Sequence, residues 1–443
     1  MKRDFFKKLL SWKASDMRKP LVLRGARQVG KTYLLKEFTK EYDNHIYVNF
    51  DEEPHFASFF AEDLKPERII KELGIYFKEP ILPGKTLIIF DEIQECPEAL
   101  NSLKYFCEKK NEYHVATAGS LLGVKLSKGF PVGKVNFLDL APLSFFEFLD
   151  ALGESSLRKL IEEIEEPKKI SDIFHEKLLK LLKYYFIIGG MPEAVATYLK
   201  KENLEDVRIV QKEILDAYTL DFAKHAPEEE VMKIMAVWES IPRQLAKENK
   251  KFIFSAIRES ARAKNYETAI QWLKDAGLLI KANLISTPKL PLDAYADKRA
   301  FKVYMLDVGL LGAMSKLDPR VLLEGNQLFQ EFKGALTENY VATQLHDHHF
   351  DSLYYWSSEG IAEVDFVIST QQLVFPLEVK AGTSKQKRSL LVYEQKFSQE
   401  ENSPPVLSRT TLRNFAYEAA IINYPLYAIS LFPLLYRKRI QNQ

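Results

Sequence analysis

The chain has 443 residues, 46% of them hydrophobic and 28% charged. That is an ordinary globular composition and too long for a single core, so roughly two to four domains are expected. Lysine plus arginine (62) nearly balances aspartate plus glutamate (61), which excludes a chain-wide basic field for nucleic acid while leaving local patches open.

The first segment alternates apolar strands with helical patterns. Strands are expected at Leu21 to Leu23, His45 to Phe50, Thr86 to Phe90, Tyr113 to Ala118 and Val135 to Leu140. Strands interleaved with helices imply a mostly parallel sheet covered on both faces, with any ligand at the carboxyl ends of its strands. The run Gly25-Ala26-Arg27-Gln28-Val29-Gly30-Lys31-Thr32 fits G-x-x-x-x-G-K-[ST] and lies between the first strand and an amphipathic helix, Tyr33 to Tyr42. That order makes a phosphate cradle from inward-pointing N–H groups and a helix N-terminus. Lys31 would reach the β- and γ-phosphates of a nucleotide, and the Thr32 hydroxyl would sit on Mg²⁺.

Leu87-Ile-Ile-Phe90-Asp91-Glu92 follows ~60 residues after the loop, the interval expected for the acidic half of such a site. Asp91 would hold Mg²⁺ through its water shell, and Glu92 would orient and deprotonate the attacking water. After the next strand comes Thr117-Ala-Gly119-Ser120. Ser120 would contact the γ-phosphate or that water; a Gly-Ser turn or helix cap is the alternative. The two cysteines, Cys96 and Cys107, lack zinc-ligand spacing and point to a reducing, cytoplasmic setting. The charged N-terminus lacks the uninterrupted apolar core of a secretory signal.

From about 151 to 235 the pattern is helical and charged: Ser155 to Glu166, Asp172 to Phe186, a break at Ile187-Ile-Gly189-Gly190-Met-Pro192, then Asn203 to Asp221. From 236 to 312, three helical segments (Ile241 to Ala246, Phe254 to Ser260, Tyr266 to Asp275) precede a hairpin of Leu278 to Ile285 and Lys302 to Met305, with Thr287 to Pro291 at its tip. Three helices and a hairpin make a winged-helix arrangement. Arg258, Arg262, Lys264 and Lys274 would contact DNA phosphates there, or else form a solvated helix face.

The last segment, 313–443, opens with a helix, Glu331 to His346, carrying Glu338. Strands at Glu363 to Ser369 and Leu373 to Lys380 follow. With Gln371 and Gln372 at the hairpin tip, Asp365 stands opposite Glu378, and Glu378 and Lys380 share a face. Glu338, Asp365, Glu378 and Lys380 match the PD-(D/E)xK nuclease pattern: the acids would hold Mg²⁺, and Lys380 would position or activate water. Acid–lysine pairs kept for solubility and cross-strand pairing are the alternative. Tyr354, Tyr355 and Trp356 would stack bases or, as the preferred account, fill the core. The single histidines show no ligand spacing, and His346, His348 and His349 read as a polar helix end. The apolar stretch Tyr424 to Tyr436 is too short to span a bilayer.

Leu-Arg24-Gly-Ala-Arg27-Gln28-Val-Gly-Lys-Thr with Asp91-Glu92-Ile93-Gln94 resembles the AAA+-type P-loop ATPases that precede a C-terminal domain of uncharacterised function, a group related to the archaeal ATPases and the STAND proteins. Phe130-Pro131-Val132-Gly133, Leu140-Ala-Pro142-Leu143-Ser144-Phe-Phe-Glu147-Phe148, Gly189-Gly190-Met-Pro192-Glu193 and Lys302-Val-Tyr304-Met-Leu306-Asp307-Val-Gly309-Leu310 carry the same resemblance. It implies an α/β fold: a P-loop ATPase domain (1–150) with a parallel sheet, a helical lid or linker (151–235), a winged helix (236–312) and a restriction-endonuclease-like domain (313–443). ATP and Mg²⁺ are the implied cofactors. Lys134 departs from the arginine usual after Pro-Val-Gly, which weakens any bidentate phosphate contact there. The expected function is a cytoplasmic Mg²⁺-dependent ATPase that couples nucleotide state to the C-terminal domain, without a membrane and with oligomerisation open. Two alternatives stand beside it: a nucleotide-gated effector that binds or cuts DNA or RNA, and a non-catalytic ATP-bound switch acting on a protein partner.

Overall fold

The structure, a computed structural model, describes residues 1–120, 133–247, 251–258, 262–324, 330–348, 350, 352–358, 361–370, 372–384, 386–404, 406–418 and 420–432. It divides into two compact units, one of Met1–Pro142 with Asp275–Leu278, the other of Leu143–Lys274 with the chain from Leu279 onward. The α/β class expected from the sequence holds, with a parallel sheet first, then a helical region, then a mixed sheet.

The first unit is built on β1 (Leu21–Arg24), β2 (Asn44–Asn49), β3 (Thr86–Asp91), β4 (His114–Ala118) and β5 (Asn136–Asp139). All pair in parallel, in the order β2-β3-β4-β1-β5. Every residue of β3 and β4 is buried, as central strands covered on both faces must be. The helix Lys31–Phe38 turns Leu34, Leu35 and Phe38 to the sheet at helical spacing. Pro66 and Pro97 open the helices Pro66–Phe77 and Pro97–Lys109, where a missing N–H costs nothing. Because all five strands run the same way, Arg24, Asn49, Asp91, Ala118 and Asp139 end at one edge.

The second unit begins with helices. Ser144 and Glu147 form a reciprocal capping box that starts Phe145–Ala151. Next come Ser155–Glu162, Asp172–Ile188, Pro192–Lys201, Leu204–His225 and Glu228–Leu245. The expected break at Gly189-Gly190 is real, and its cause lies far along the chain. The Asp307 carboxylate accepts the Gly190 N–H at 2.6 Å and the Leu310 N–H at 2.8 Å. A Cβ on Gly190 would lie 2.0 Å from the Leu143 carbonyl oxygen, and one on Gly189 2.2 Å from Asp307 Oδ1, so the two glycines let the chains meet. Burial, only partly offset by these N–H groups, raises the Asp307 carboxyl to about 6.

The helix expected at Ile241 to Ala246 is the last turn of Glu228–Leu245, and the described part of Phe254 to Ser260 is a single 3-10 turn, Phe254–Ala256. The hairpin of β6 (Leu279–Ile285) and β7 (Ala296–Met305), read above as a wing, does not stand alone. β6 pairs in parallel with β8 (Leu353–Ser358), and the sheet continues through β9 (Ala362–Ser369), β10 (Val374–Val379), β11 (Leu407–Thr411), β13 (Ile421–Pro425) and β12 (Ala416–Glu418). Leu390, Tyr393 and Phe397 of the helix Arg388–Phe397 pack on Trp356, Val364 and Val367. Tyr354, Tyr355 and Trp356 are thus core, as preferred from the sequence. The helix Gln330–His348 is pinned to the end of β7: the Asn339 amide accepts the Met305 N–H at 2.7 Å and donates to its carbonyl at 3.0 Å. The start of the apolar Tyr424 run is the buried end of β13 and the turn Leu426–Leu431.

Candidate functional site

The glycine loop takes the backbone its sequence demands. Gly25 (φ 144°) and Gly30 (φ 96°) occupy conformations closed to most side chains, and a Cβ on Gly25 would meet the Leu140 carbonyl oxygen at 2.3 Å. Gln28 adopts φ 66° between them. Ala26 and Val29 are buried beneath the loop, whereas Arg27 is half-buried and Gln28 exposed. Arg3 reaches in to donate to the Val29 carbonyl at 3.1 Å and the Ala141 carbonyl at 2.6 Å, which ties the loop to the end of β5. Arg24 and Asp139 close the same edge through a two-pronged ion pair at 2.8 and 2.7 Å.

Lys31 and Ser120, far apart in sequence, meet here. The buried Lys31 ammonium donates to the carbonyl oxygens of Gly25 (2.9 Å) and Ala26 (2.8 Å) and to Ser120 Oγ (3.2 Å). Thr32, on the first turn of the helix, is half-buried. Asp91 ends β3 fully buried and accepts the Tyr47 hydroxyl at 2.8 Å. Burial, then the Asp91 charge and this bond, hold the Tyr47 phenol well above its ordinary range. Glu92 follows in the left-handed region at φ 47°, with its carboxylate accepting a hydrogen bond from the Gln94 side-chain amide. Gln94 entered the sequence analysis only as part of the Asp91-Glu92-Ile93-Gln94 motif and Tyr47 not at all; a tyrosine between the apolar Ile46 and Val48 was the available signal for the latter.

The C-terminal acids gather around two lysines. Glu338 is 7% exposed, Asp365 9% and Glu378 1%. Lys380 pairs with Glu378 Oε1 at 2.9 Å. Burial works against the charge on Lys380, but Glu378, Asp365 and Glu338 outweigh it and raise its pKa. Lys302, from β7, is fully buried; it pairs with Glu363 through a short contact and with Glu338 at 3.9 Å. Glu338, Glu363 and Asp365 likewise overcome the effect of burial and keep Lys302 charged. Lys302 and Glu363 were missed as site residues. A lysine between the apolar Phe301 and Val303 was the signal for one, and the alternation Glu363-Val-Asp365 for the other. The hairpin register is the expected one, from Val374 opposite Ser369 to Leu377 opposite Phe366, although Gln371 lies outside the described residues. The described ladder stops one pair short of Asp365 and Glu378. There the Asp365 carboxylate accepts the Val379 N–H at 2.7 Å.

Residues 17–149 match the AAA domain family. These residues form an AAA-type domain. Residues 179–321 match a domain of unknown function, DUF8612, and residues 333–429 match another, DUF4143. No curated protein matches the chain. Among solved structures it is similar to a Walker-type ATPase of Pyrococcus abyssi, at 14% identity over 71% of this chain and 95% of that one, with a TM-score of 0.43. Nucleotide-bound DnaA of Aquifex aeolicus matches at 15% identity over 61% of this chain and 85% of that one, with a TM-score of 0.26. A STAND protein of Pyrococcus horikoshii matches at 14% identity over 78% and 45%, with a TM-score of 0.27.

In the AAA domain the Thr32 hydroxyl and the Asp91 carboxylate are hard oxygens of the kind that would suit Mg²⁺, an ion that keeps much of its coordination for water and phosphate. Among the described residues no group of three or more His, Cys, Asp and Glu side chains is placed to hold a metal. Glu338, Asp365 and Glu378 therefore do not close into a three-carboxylate cage. Glu378 Oε2 is nevertheless buried without a hydrogen-bond partner, which fits a cation held by one or two carboxylates.

Lys134, the departure from the arginine pattern, pairs with Glu108 at 3.0 Å, while Phe130, Pro131 and Val132 lie outside the described residues. Arg258, Arg262, Lys264 and Lys274 are exposed, as either a solvated face or a phosphate-contacting face requires. His114 is a satisfied core histidine bonded to the Tyr42 hydroxyl at 2.8 Å, and burial lowers its pKa to about 4. The exposed His346 ring bonds the Phe350 carbonyl at 3.0 Å, and His349 lies outside the described residues. Among the described residues no helix is long and apolar enough to cross a membrane.

Proposed function

We propose that the AAA domain hydrolyses ATP between its β- and γ-phosphates and passes the nucleotide state to the second unit. The observation that carries this reading is the buried Lys31 ammonium, held by two loop carbonyls and Ser120 in a fold whose β3 ends in Asp91 and Glu92. A β,γ-phosphate is a stronger acceptor than a backbone carbonyl and draws Lys31 from Gly25 and Ala26. The loop N–H groups take the remaining phosphate oxygens. Thr32 and Asp91 are the residues that would hold Mg²⁺, which supplies charge neutralisation across the phosphates when bound. Glu92, steered by Gln94, takes the proton of the attacking water.

Glu92→Gln keeps the shape and the Gln94 neighbour but removes the base. ATP turnover is expected to fall about 100-fold with nucleotide affinity unchanged. Phosphate release and fluorescent-nucleotide titration measure the two quantities. Equal phosphate release by the variant and the parent chain would end the hydrolysis claim.

A second reading is favoured by the acid–lysine cluster: the C-terminal sheet cuts nucleic acid. Support comes from Glu338, Asp365, Glu378 and Lys380 all standing buried or half-buried within one electrostatic neighbourhood, rather than on a solvated face. Single- and double-stranded oligonucleotides are expected to be cut in Mg²⁺ or Mn²⁺, and Asp365→Ala is expected to lower the rate about 100-fold or more. Cleavage that survives Asp365→Ala sinks the assignment to this site.

A further inference from the structure

Arg409 occupies β11 as the register partner of Glu378 in β10 and of Asn423 in β13. Partners across parallel strands share a face, so the guanidinium stands beside the acid site. Arg409 is 3% exposed. Among the described residues its side chain has one hydrogen bond, from Nε to Asn423 Oδ1 at 3.3 Å, and no carboxylate lies within ion-pairing distance. Asn423 cannot do more for it: its oxygen also accepts from Thr411 Oγ1 at 2.9 Å, and its amide donates to the Arg413 and Asn414 carbonyls. Arg413 is engaged with Glu418 at 2.8 Å.

A guanidinium cannot shed its charge, and burying one without an ion pair is unfavourable unless something else answers it. Burial and then the like charge of Arg413 oppose the Arg409 charge, while Glu378 and Glu418 favour it. On the neighbouring strand Glu378 Oε2 is itself buried and unpartnered, and its other oxygen is taken by Lys380. A buried guanidinium without an ion pair and a buried, unpartnered carboxylate oxygen, side by side yet not paired with each other, describe a place built for a third party.

We infer that Arg409 is the anion subsite of the C-terminal acid site and takes a phosphate oxygen of a nucleic-acid strand next to Glu378. The fork of the guanidinium matches two phosphate oxygens, which a lysine ammonium does not. The negative charge of Glu378 beside a phosphate would be answered by Lys380, already paired with it, and by any cation that the open Glu378 oxygen would help to hold. The inference deepens the cleavage reading and rests on it for the identity of the phosphate, not for the existence of the anion site.

The experiment uses the full chain with Ca²⁺, which binds oxygen donors, in place of Mg²⁺. A fluorescein-labelled oligonucleotide is titrated against the parent chain, Arg409→Leu and Arg409→Lys, with inorganic phosphate as competitor, and each melting curve is recorded with and without phosphate. Arg409→Leu is expected to weaken oligonucleotide binding about tenfold or more, and Arg409→Lys to recover part of it, because charge survives while the fork is lost. Phosphate should displace the oligonucleotide from the parent chain. Unchanged affinity in Arg409→Leu overturns the inference and leaves the cleavage reading standing. If no chain binds oligonucleotide but phosphate raises the melting temperature of the parent and not of Arg409→Leu, the anion site stands and the nucleic-acid reading falls. If no chain binds oligonucleotide and phosphate stabilises none of them, the anion site and the nucleic-acid reading both fall.

Discussion

Lys31→Ala is expected to weaken ATP binding about 100-fold and to abolish turnover with it. The size follows from what Lys31 touches. Its ammonium donates to the Gly25 and Ala26 carbonyls and to Ser120 Oγ, all within 3.2 Å. A phosphate must compete with them, and it succeeds because charge-assisted bonds to an anion contribute roughly 1.5–3 kcal/mol each, against about 1 kcal/mol for a typical neutral pair. Two such bonds lost amount to about 3 kcal/mol or more, which is the stated factor.

The same contacts make a second readout. Without the ammonium, two loop carbonyls and Ser120 lose a partner, so the nucleotide-free AAA domain should unfold about 1 kcal/mol more easily. ATP should then protect the parent chain against heat and leave the variant unprotected. Turnover within a factor of about three of the parent would sink the assignment of Lys31.

The contrast with the C-terminal site shows what a sequence can and cannot carry. The loop was legible because all its parts are local. Gly25 to Thr32 fixes its own backbone, and the apolar runs on either side fix the strand and helix that hold it. The β9–β10 register was legible for the same reason, since the two strands are neighbours in the chain. The β6–β7 hairpin was recognised as a hairpin, but its partner β8 begins almost fifty residues after β7, and nothing near β6 announces that pairing. Lys302 was hidden for this reason. Only its immediate neighbours, Phe301 and Val303 to Met305, read as apolar, and the acids that hold it charged come from β9 and from the helix Gln330–His348. Gly189 and Gly190 read as a helix breaker, whereas the carboxylate that requires two glycines there is Asp307, more than a hundred residues away.

Lys302→Met tests that hidden contact, and it carries the largest expected loss of stability. Methionine matches the length and apolar stem of lysine, so packing is nearly conserved and the change is one of charge. Lys302 has no exposed surface, and Glu338 and Glu363 both lean on it. Breaking a buried pair by removing one partner costs about 3–5 kcal/mol, because the remaining charge stays buried. Glu363 keeps 29% of its side chain exposed and water can serve part of it, so the lower end, about 3 kcal/mol, is expected. Denaturant unfolding of the second unit measures the loss, while nucleotide affinity of the AAA domain serves as the internal control. The double variant Lys302→Met with Glu363→Gln separates charge from packing: it should recover about half of the loss, since one of the two stranded carboxylates becomes neutral. If the single variant loses less than about 1 kcal/mol, or the double variant recovers nothing, Lys302 is not the counter-charge that organises these acids.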